Sequence, residues 1–197
     1  MMQERPIDRA VLDDSALALA LKGGDQRAFD ELVRRHQGRV YAVAYRMTGN
    51  REDALDVAQE SLMKAYHKIH AWQPTGGFLP WLLRLTTNQA IDVLRRRKRQ
   101  RHAPLDEAYA QESEHAPVEP STIGTARQVD ANEIDARVRN ALVVLSKSQR
   151  TVFVLRHYEG LALAEIATEL GCTVGSVKVH LFRALKKLQR ELKDLHE

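Results

Sequence analysis

Cysteine is nearly missing: Cys172 stands alone among 197 residues. One cysteine makes neither an intrachain disulfide nor a Cys-based zinc site, and a reducing cytoplasm is the expected home. Long apolar runs are missing too. None approaches the roughly 18 residues of a membrane span, and Met1 to Asp14 mixes charges where a signal peptide needs an apolar stretch. Membrane insertion and secretion are therefore not expected. Proline and glycine are few, at 6 and 10, and nearly all the prolines fall outside the periodic segments. Catalytic signatures are missing as well. There is no phosphate-binding glycine loop, no GxSxG and no HExxH. His67 and His70 lie three apart with no third ligand evident, so a structural or exposed role is expected rather than zinc. No catalytic residue, cofactor or metal is assigned. Cys172 lacks an activating partner and is expected to be a small buried thiol.

What remains is rich in helix formers. Hydrophobic residues make up 44% of the chain, enough for packed cores. Leu, Ala, Arg, Glu and Lys dominate, and the apolar positions recur at helical spacing. The expected class is all-α. Thirty Lys plus Arg against twenty-six Asp plus Glu leave a modest +4, but the positive charge is clustered. Between Ala103 and Ser121 there is no Lys or Arg, while five acids and three prolines occur and the periodicity stops. That composition reads as a flexible acidic linker. The predicted organisation is a helical domain over 15–100, a linker over 101–129 and a second helical domain over 130–197. Such halves are expected to have no fixed spacing in the free protein.

Gly23-Gly24-Asp25 ends one short helix and caps the next, which runs from about Gln26 to Met47. Asn50 starts a third helix, with Leu55, Ala58, Leu62, Ala65 and Ile69 as its apolar stripe. Glu52, Asp53, Asp56 and Glu60 lie on its outer face. Trp72 to Pro80 reads as a loop, and a fourth helix follows from about Trp81 to Arg99. In the second half Val138, Leu142 and Leu145 face the core, and Val152 and Leu155 follow in a helix closed near Gly160.

The strongest signal is LALAEIATELGCTVGSVKVHLFRAL, ending at Leu185. A short helix over about Leu163 to Leu170, a turn at Gly171 and a long helix from about Val174 form the helix-turn-helix pattern. Val174, Val177, Leu181, Leu185, Leu188 and Leu192 give the long helix a buried stripe. Ser176, Lys178, Val179, His180, Arg183, Lys186, Lys187 and Arg190 form the face left for a major groove. The plainer alternative is a packed terminal helix with a solvated basic side.

A second signal is WLLRLTTNQAIDVLRRRKRQR, with six Lys or Arg between Arg95 and Arg101. Such density neutralises phosphates. Asn88, Asp92, Arg95, Arg96 and Arg99 share one helical face. Asn88 offers a donor and an acceptor to a base edge, and Asp92 sits where it steers Arg95 and Arg96 one turn on. Trp72, Phe78 and Trp81 either stack on an unpaired base or close a core. The acidic face around Gln59 reads, on charge alone, as ordinary solvated surface. A stand-alone helix-turn-helix repressor with an N-terminal dimerisation domain accounts for part of this pattern.

Together these segments resemble the extracytoplasmic-function (ECF) group of bacterial RNA polymerase sigma factors. AFDELVRRHQGRVYAVAYRMTGN from Ala28 is similar to the opening helix of sigma region 2, and DALDVAQESLMKAY from Asp53 to its core-binding helix. Trp81, Asn88, Asp92, Arg95 and Arg96 match the −10 recognition helix in spacing. The stretch from Leu145 to Leu188 is similar to region 4. The resemblance implies a factor that binds core polymerase, brings it to promoters and helps melt the −10 region, without a cofactor. It implies that Asp53, Asp56, Gln59 and Glu60 face the β′ clamp helices, with the β subunit as a further contact. Trp72 and Asn88 would hold a flipped −10 base, with Asp92, Arg95 and Arg96 beside it. Ser176, Lys178, His180, Phe182 and Arg183 would meet the −35 duplex. Regulation by an anti-sigma factor is common in the family. Val179 and His180 depart from it, standing where a small polar residue followed by Arg is frequent.

Overall fold

A computed structural model describes residues 9–102 and 141–193, and every regular element among them is helical. The first half holds α1 (Asp14–Lys22), α2 (Gln26–Thr48), α3 (Arg51–His67) and α4 (Phe78–His102). Asp13, Asp25 and Asn50 each accept a backbone N–H from the first turn of the helix that follows, at 2.7, 3.1 and 3.0 Å. Each such cap stabilises a helix start by about 1 kcal/mol. The α3 stripe is turned by one residue from the expected one. Ala54, Val57, Ala58, Ser61 and Ala65 are buried, and Leu55 is exposed. Small residues let α3 lie close against α2, so the close-packed line wins over the larger apolar side chain.

The segment from Trp72 to Pro80 is shorter as a loop than its prolines suggested. Helix α4 begins at Phe78, not Trp81, with Pro80 in its first turn. Proline is tolerated there because first-turn N–H groups have no helical acceptor. Gly77, at φ 71° and ψ 150°, makes the bend into α4 in a conformation side chains disfavour.

The second half resumes with helical residues 141–143, then α5 (Lys147–Phe153), α6 (Leu163–Leu170) and α7 (Val174–Glu191). Ser146 and Gln149 cap α5 reciprocally, at 3.4 and 3.1 Å. α5 widens into a π turn over Val154–Tyr158. Gly171 closes α6 in the left-handed region at φ 61°, and Thr173 caps α7 through the Ser176 N–H at 3.1 Å. The buried line of α7 is Val177, Ala184 and Leu188, with Leu181 half-buried beside it. Val174 and Leu185, expected inside, are exposed. Cys172 is exposed in the turn rather than buried. Helix α4 takes in residues 101–102, the first two of the predicted linker, while Val138 and the rest of that linker lie outside the described residues.

The halves are not independent. Val43, Ala44 and Met47 of α2 and Leu83 and Ala90 of α4 share one apolar cluster with Val152, Leu155, Ile166 and Val177. Polar ties reinforce it. Arg150 donates Nη1 to the Met47 carbonyl at 2.7 Å. Glu159, its side chain only 4% exposed, takes Arg39 at 2.9 Å and Arg46 at 3.8 Å. Arg46 also lies 4.1 Å from the centre of the Tyr158 ring. Glu169 pairs with Arg84 at 3.2 Å. The expectation of no fixed spacing is therefore corrected: burying this apolar surface fixes the two halves against each other.

Candidate nucleic-acid interface

Helices α6 and α7 cross where Ala167 is small, and Ala167 and Val177 lie in the same cluster. That crossing turns the outer face of α7 to solvent. Lys178, Val179, Phe182, Arg183, Lys186 and Arg190 are exposed on it. Ser176 and His180 are not presented in the same way. The Ser176 hydroxyl lies 3.0 Å from the Thr173 hydroxyl, within the cap. His180 is half-buried and its Nδ1 is enclosed without a hydrogen-bond partner among the described residues. The open charges of this face are thus Lys178, Arg183 and Lys186, while Arg190 lies 3.7 Å from Glu191.

The α4 face forms as its periodicity predicts. Leu83, Thr87 and Ala90 are buried, while Asn88, Asp92, Arg95, Arg96 and Arg99 are exposed. Asp92 holds Arg95 at 3.4 Å, one turn away. Opposite stands the outer face of α3. Together they enclose a groove of about 1310 Å³, with Asp56, Gln59 and Glu60 on one wall and Asp92, Arg95, Arg96 and Arg99 on the other. Met63 and Val93 also line it, and Lys64 bonds Gln89 across it. The structure therefore brings the expected polymerase-facing residues and Asp92, Arg95 and Arg96 of the expected −10 set together along one cleft, while Asn88, exposed on α4, and the buried Trp72 are not part of its lining.

Asp53 belongs to that cleft but faces inward. Its carboxylate lies 2.9 Å from Arg97 and its side chain is 14% exposed. Burial pushes its pKa up, and the Arg97 guanidinium opposes the push. Asp53 ties the basic end of α4 to α3, so Asp56 and Glu60 are the acids open to a partner, with the amide of Gln59 between them.

Trp72 is the clearest correction at residue level. It is 1% exposed. Its Nε1 donates to the Gly77 carbonyl at 3.1 Å, and its ring meets Phe78 edge-on. Lys22 donates to the Trp72 carbonyl at 2.6 Å and lies over the ring. Of the two roles open to this aromatic, the structure shows the core one. Trp72 pins the loop and has no face free for a base. Sequence reasoning missed Arg150, Tyr158, Glu159 and Glu169. The sequence held one signal for the glutamates: each sits at a helix C-terminus, where the dipole disfavours negative charge.

Among the described residues no group of His, Cys, Asp and Glu could hold a metal, and no helix is long and apolar enough to cross a membrane.

Two helical halves, one carrying a helix-turn-helix and the other an exposed arginine-rich helix, define a multipart DNA-binding protein. Residues 32–100 match the family model for sigma-70 region 2, and residues 135–188 match that for sigma-70 region 4. The ECF RNA polymerase sigma factor SigW of Bacillus subtilis is 31% identical over 176 residues, covering 89% of this chain and 94% of its own. The ECF RNA polymerase sigma factor SigE of Mycolicibacterium smegmatis is 37% identical over 169 residues. That match covers 84% of this chain but 63% of the relative's length. A solved structure of CnrH in complex with the cytosolic domain of CnrY has a TM-score of 0.65 at 29% identity, covering 92% of this chain and 97% of that one. The chain belongs to the ECF group of RNA polymerase sigma factors. The stand-alone repressor alternative falls with that assignment.

Proposed function

We propose that this chain, as an ECF sigma factor, divides its work among three faces. The exposed acids Asp56 and Glu60 on α3, with Gln59 beside them, meet a basic surface of core RNA polymerase, the β′ clamp helices, while Asp53 braces the cleft through Arg97. The outer face of α4, with Asn88, Asp92, Arg95 and Arg96, meets the −10 strand beside the loop that Trp72 pins. The outer face of α7 enters the major groove of the −35 element through Lys178, Phe182 and Arg183. Melting is driven by binding energy, because bases held out of the stack stabilise the open strand, and no chemical step falls to the chain itself. Its place of action is the cytoplasm, with the polymerase. CnrH has been solved in complex with the cytosolic domain of CnrY, and a protein regulator, of the anti-sigma kind common in the family, is proposed for this chain too.

The observation that carries this reading is the shared cleft, where acids and arginines stand on facing walls. One wall offers a handle for a basic protein surface, and the other offers cations for phosphates. Asp56→Arg places like charge against the partner, a juxtaposition that costs several kcal/mol. Co-purification with core polymerase should be lost, with helical content and thermal midpoint close to wild type. Unchanged capture of core by Asp56→Arg overturns the assignment of this wall.

A further inference from the structure

Helix α7 has an unusual centre line on its outward face. With successive residues about 100° apart around a helix, Val179 lies diametrically opposite the buried Val177, Ala184 and Leu188. The neighbours of Val179 along that ridge are Gly175, Phe182 and Lys186. Val179 is 46% exposed and Phe182 66% exposed, and at i, i+3 their side chains adjoin. The polar candidates beside them are withdrawn, Ser176 into the cap and His180 into the protein. The most prominent part of the reading face therefore carries two apolar side chains, flanked by Lys178 on one side and Arg183 on the other.

Charge and shape commit this ridge to one occupant. The flanking cations match a polyanion, and the first turns of the second helix in a helix-turn-helix are the part that reaches base edges. A valine or phenylalanine there reads no donor or acceptor pattern. What it recognises in a major groove is the one apolar group on a base edge, the 5-methyl of thymine. We propose that Val179 is a specificity-determining residue of this chain, forming with Phe182 an apolar contact for thymine methyl groups in the −35 element. This rests on the reading of α7 as the −35 helix. It adds that the sequence preference at the centre of that element is set by methyl contacts, with Arg183 reading a flanking guanine.

The test uses the full chain bound to core polymerase. A promoter is first selected from a pool with a randomised −35 segment. Each thymine of that segment is then replaced singly by deoxyuridine, which removes one methyl and leaves every hydrogen-bonding group in place. At one or more positions wild-type binding should fall about fourfold, the weight of one buried methyl-sized group. Val179→Ser should abolish the loss at one position, and Phe182→Ala at that position or its neighbour. Val179→Thr keeps the branched shape while exchanging one methyl for a hydroxyl, and should show an intermediate loss. If uridine is tolerated everywhere while Arg183→Ala still erases −35 selectivity, the methyl-reading proposal is overturned and the −35 helix stands. If Arg183→Ala also leaves −35 selectivity untouched, the reading of α7 fails instead. If Val179→Ser weakens binding to core polymerase but not the response to uridine, the ridge is a protein contact and the proposal is wrong.

Discussion

The inner face between the two halves and the outer faces of α4 and α7 use the same residue types to opposite ends. Inside, Arg39, Arg46, Arg84 and Arg150 each have an acceptor supplied by the other half. Outside, Arg99, Lys178 and Arg183 are exposed and have no hydrogen-bond or ion-pair partner among the described residues. An arginine enclosed and satisfied within the chain has little left to offer a phosphate, unlike Arg95, whose 3.4 Å contact with Asp92 lies in solvent and exchanges readily. One left open keeps its charge and its planar fork for a ligand. Residue type alone does not separate structural cations from reading cations. The partner does.

The comparison breaks most readily at Glu159. It is almost fully enclosed and placed between two guanidinium groups. Glu159→Lys puts a third cation there. Losing one partner of a buried ion pair costs about 3–5 kcal/mol, and the partial exposure of Arg39 and Arg46 places the expected loss at the low end of that range. The halves should separate, raising the radius of gyration in small-angle X-ray scattering of the free protein. Selectivity at the −35 element should persist in the holoenzyme, because α7 reads from the opposite side. An unchanged scattering profile would mean that the shared apolar cluster holds the halves together without the ion pairs.

Much of the first half was legible because its helix boundaries are written in short-range chemistry. Asp25 and Asn50 cap, and the α4 faces divide as the 3.6-residue period requires. The same period does not tell where a stripe is centred. Leu55, Val174 and Leu185 lie near the edge of their stripes, and the burial of neighbouring small residues decides that they stay outside. The docking of the halves was beyond local reading for another reason. Arg150 and Met47 are 103 positions apart. The π turn over Val154–Tyr158 also inserts one residue's worth of rotation just before Glu159. Trp72 is a further case. An aromatic in a loop with two prolines and two glycines has the same signature whether it stacks on a ligand or anchors the loop. Only the acceptor at Gly77 and the cation at Lys22 decide.

Arg183→Ala sharpens the outer half of the comparison. The residue is exposed, next to Phe182 and on the reading face. A bidentate arginine–guanine pair contributes roughly 1–3 kcal/mol of discrimination. The variant should bind promoters more weakly and lose preference at one −35 position, with protein stability within about 0.5 kcal/mol of wild type, as for surface substitutions generally. Competition between wild-type and mutated −35 duplexes for the holoenzyme measures it. Arg34→Ala, a substitution of the same type on α2 whose guanidinium already holds Glu31 at 2.6 Å, should leave that preference intact.

The smallest expected effect separates two carboxylates that both face arginine. Glu31 has a side chain only 12% exposed on α2 and accepts from Arg34 and Arg35, which together lower its pKa from 4.5 to about 2. Glu169 is buried between the halves, and desolvation pushes its pKa up even though Arg84 opposes the shift. The signs of the pH dependence therefore differ. Glu31 contributes stability that is complete above pH 4.5 and is lost as the pH falls towards 2. Glu169 contributes in the other direction: protonation relieves its buried charge, so its stabilising share is present at low pH and disappears as the pH rises through its elevated pKa. Glu31→Gln should flatten the acid limb of the stability curve between about pH 4.5 and 2. Glu169→Gln should leave the halves docked and remove the part of their affinity that grows on acidification. Chemical denaturation across pH follows the first, and scattering of the free protein across the same range follows the second. If both variants shift stability with the same sign, desolvation does not dominate at Glu169, and Arg84 holds its carboxylate as Arg34 and Arg35 hold that of Glu31.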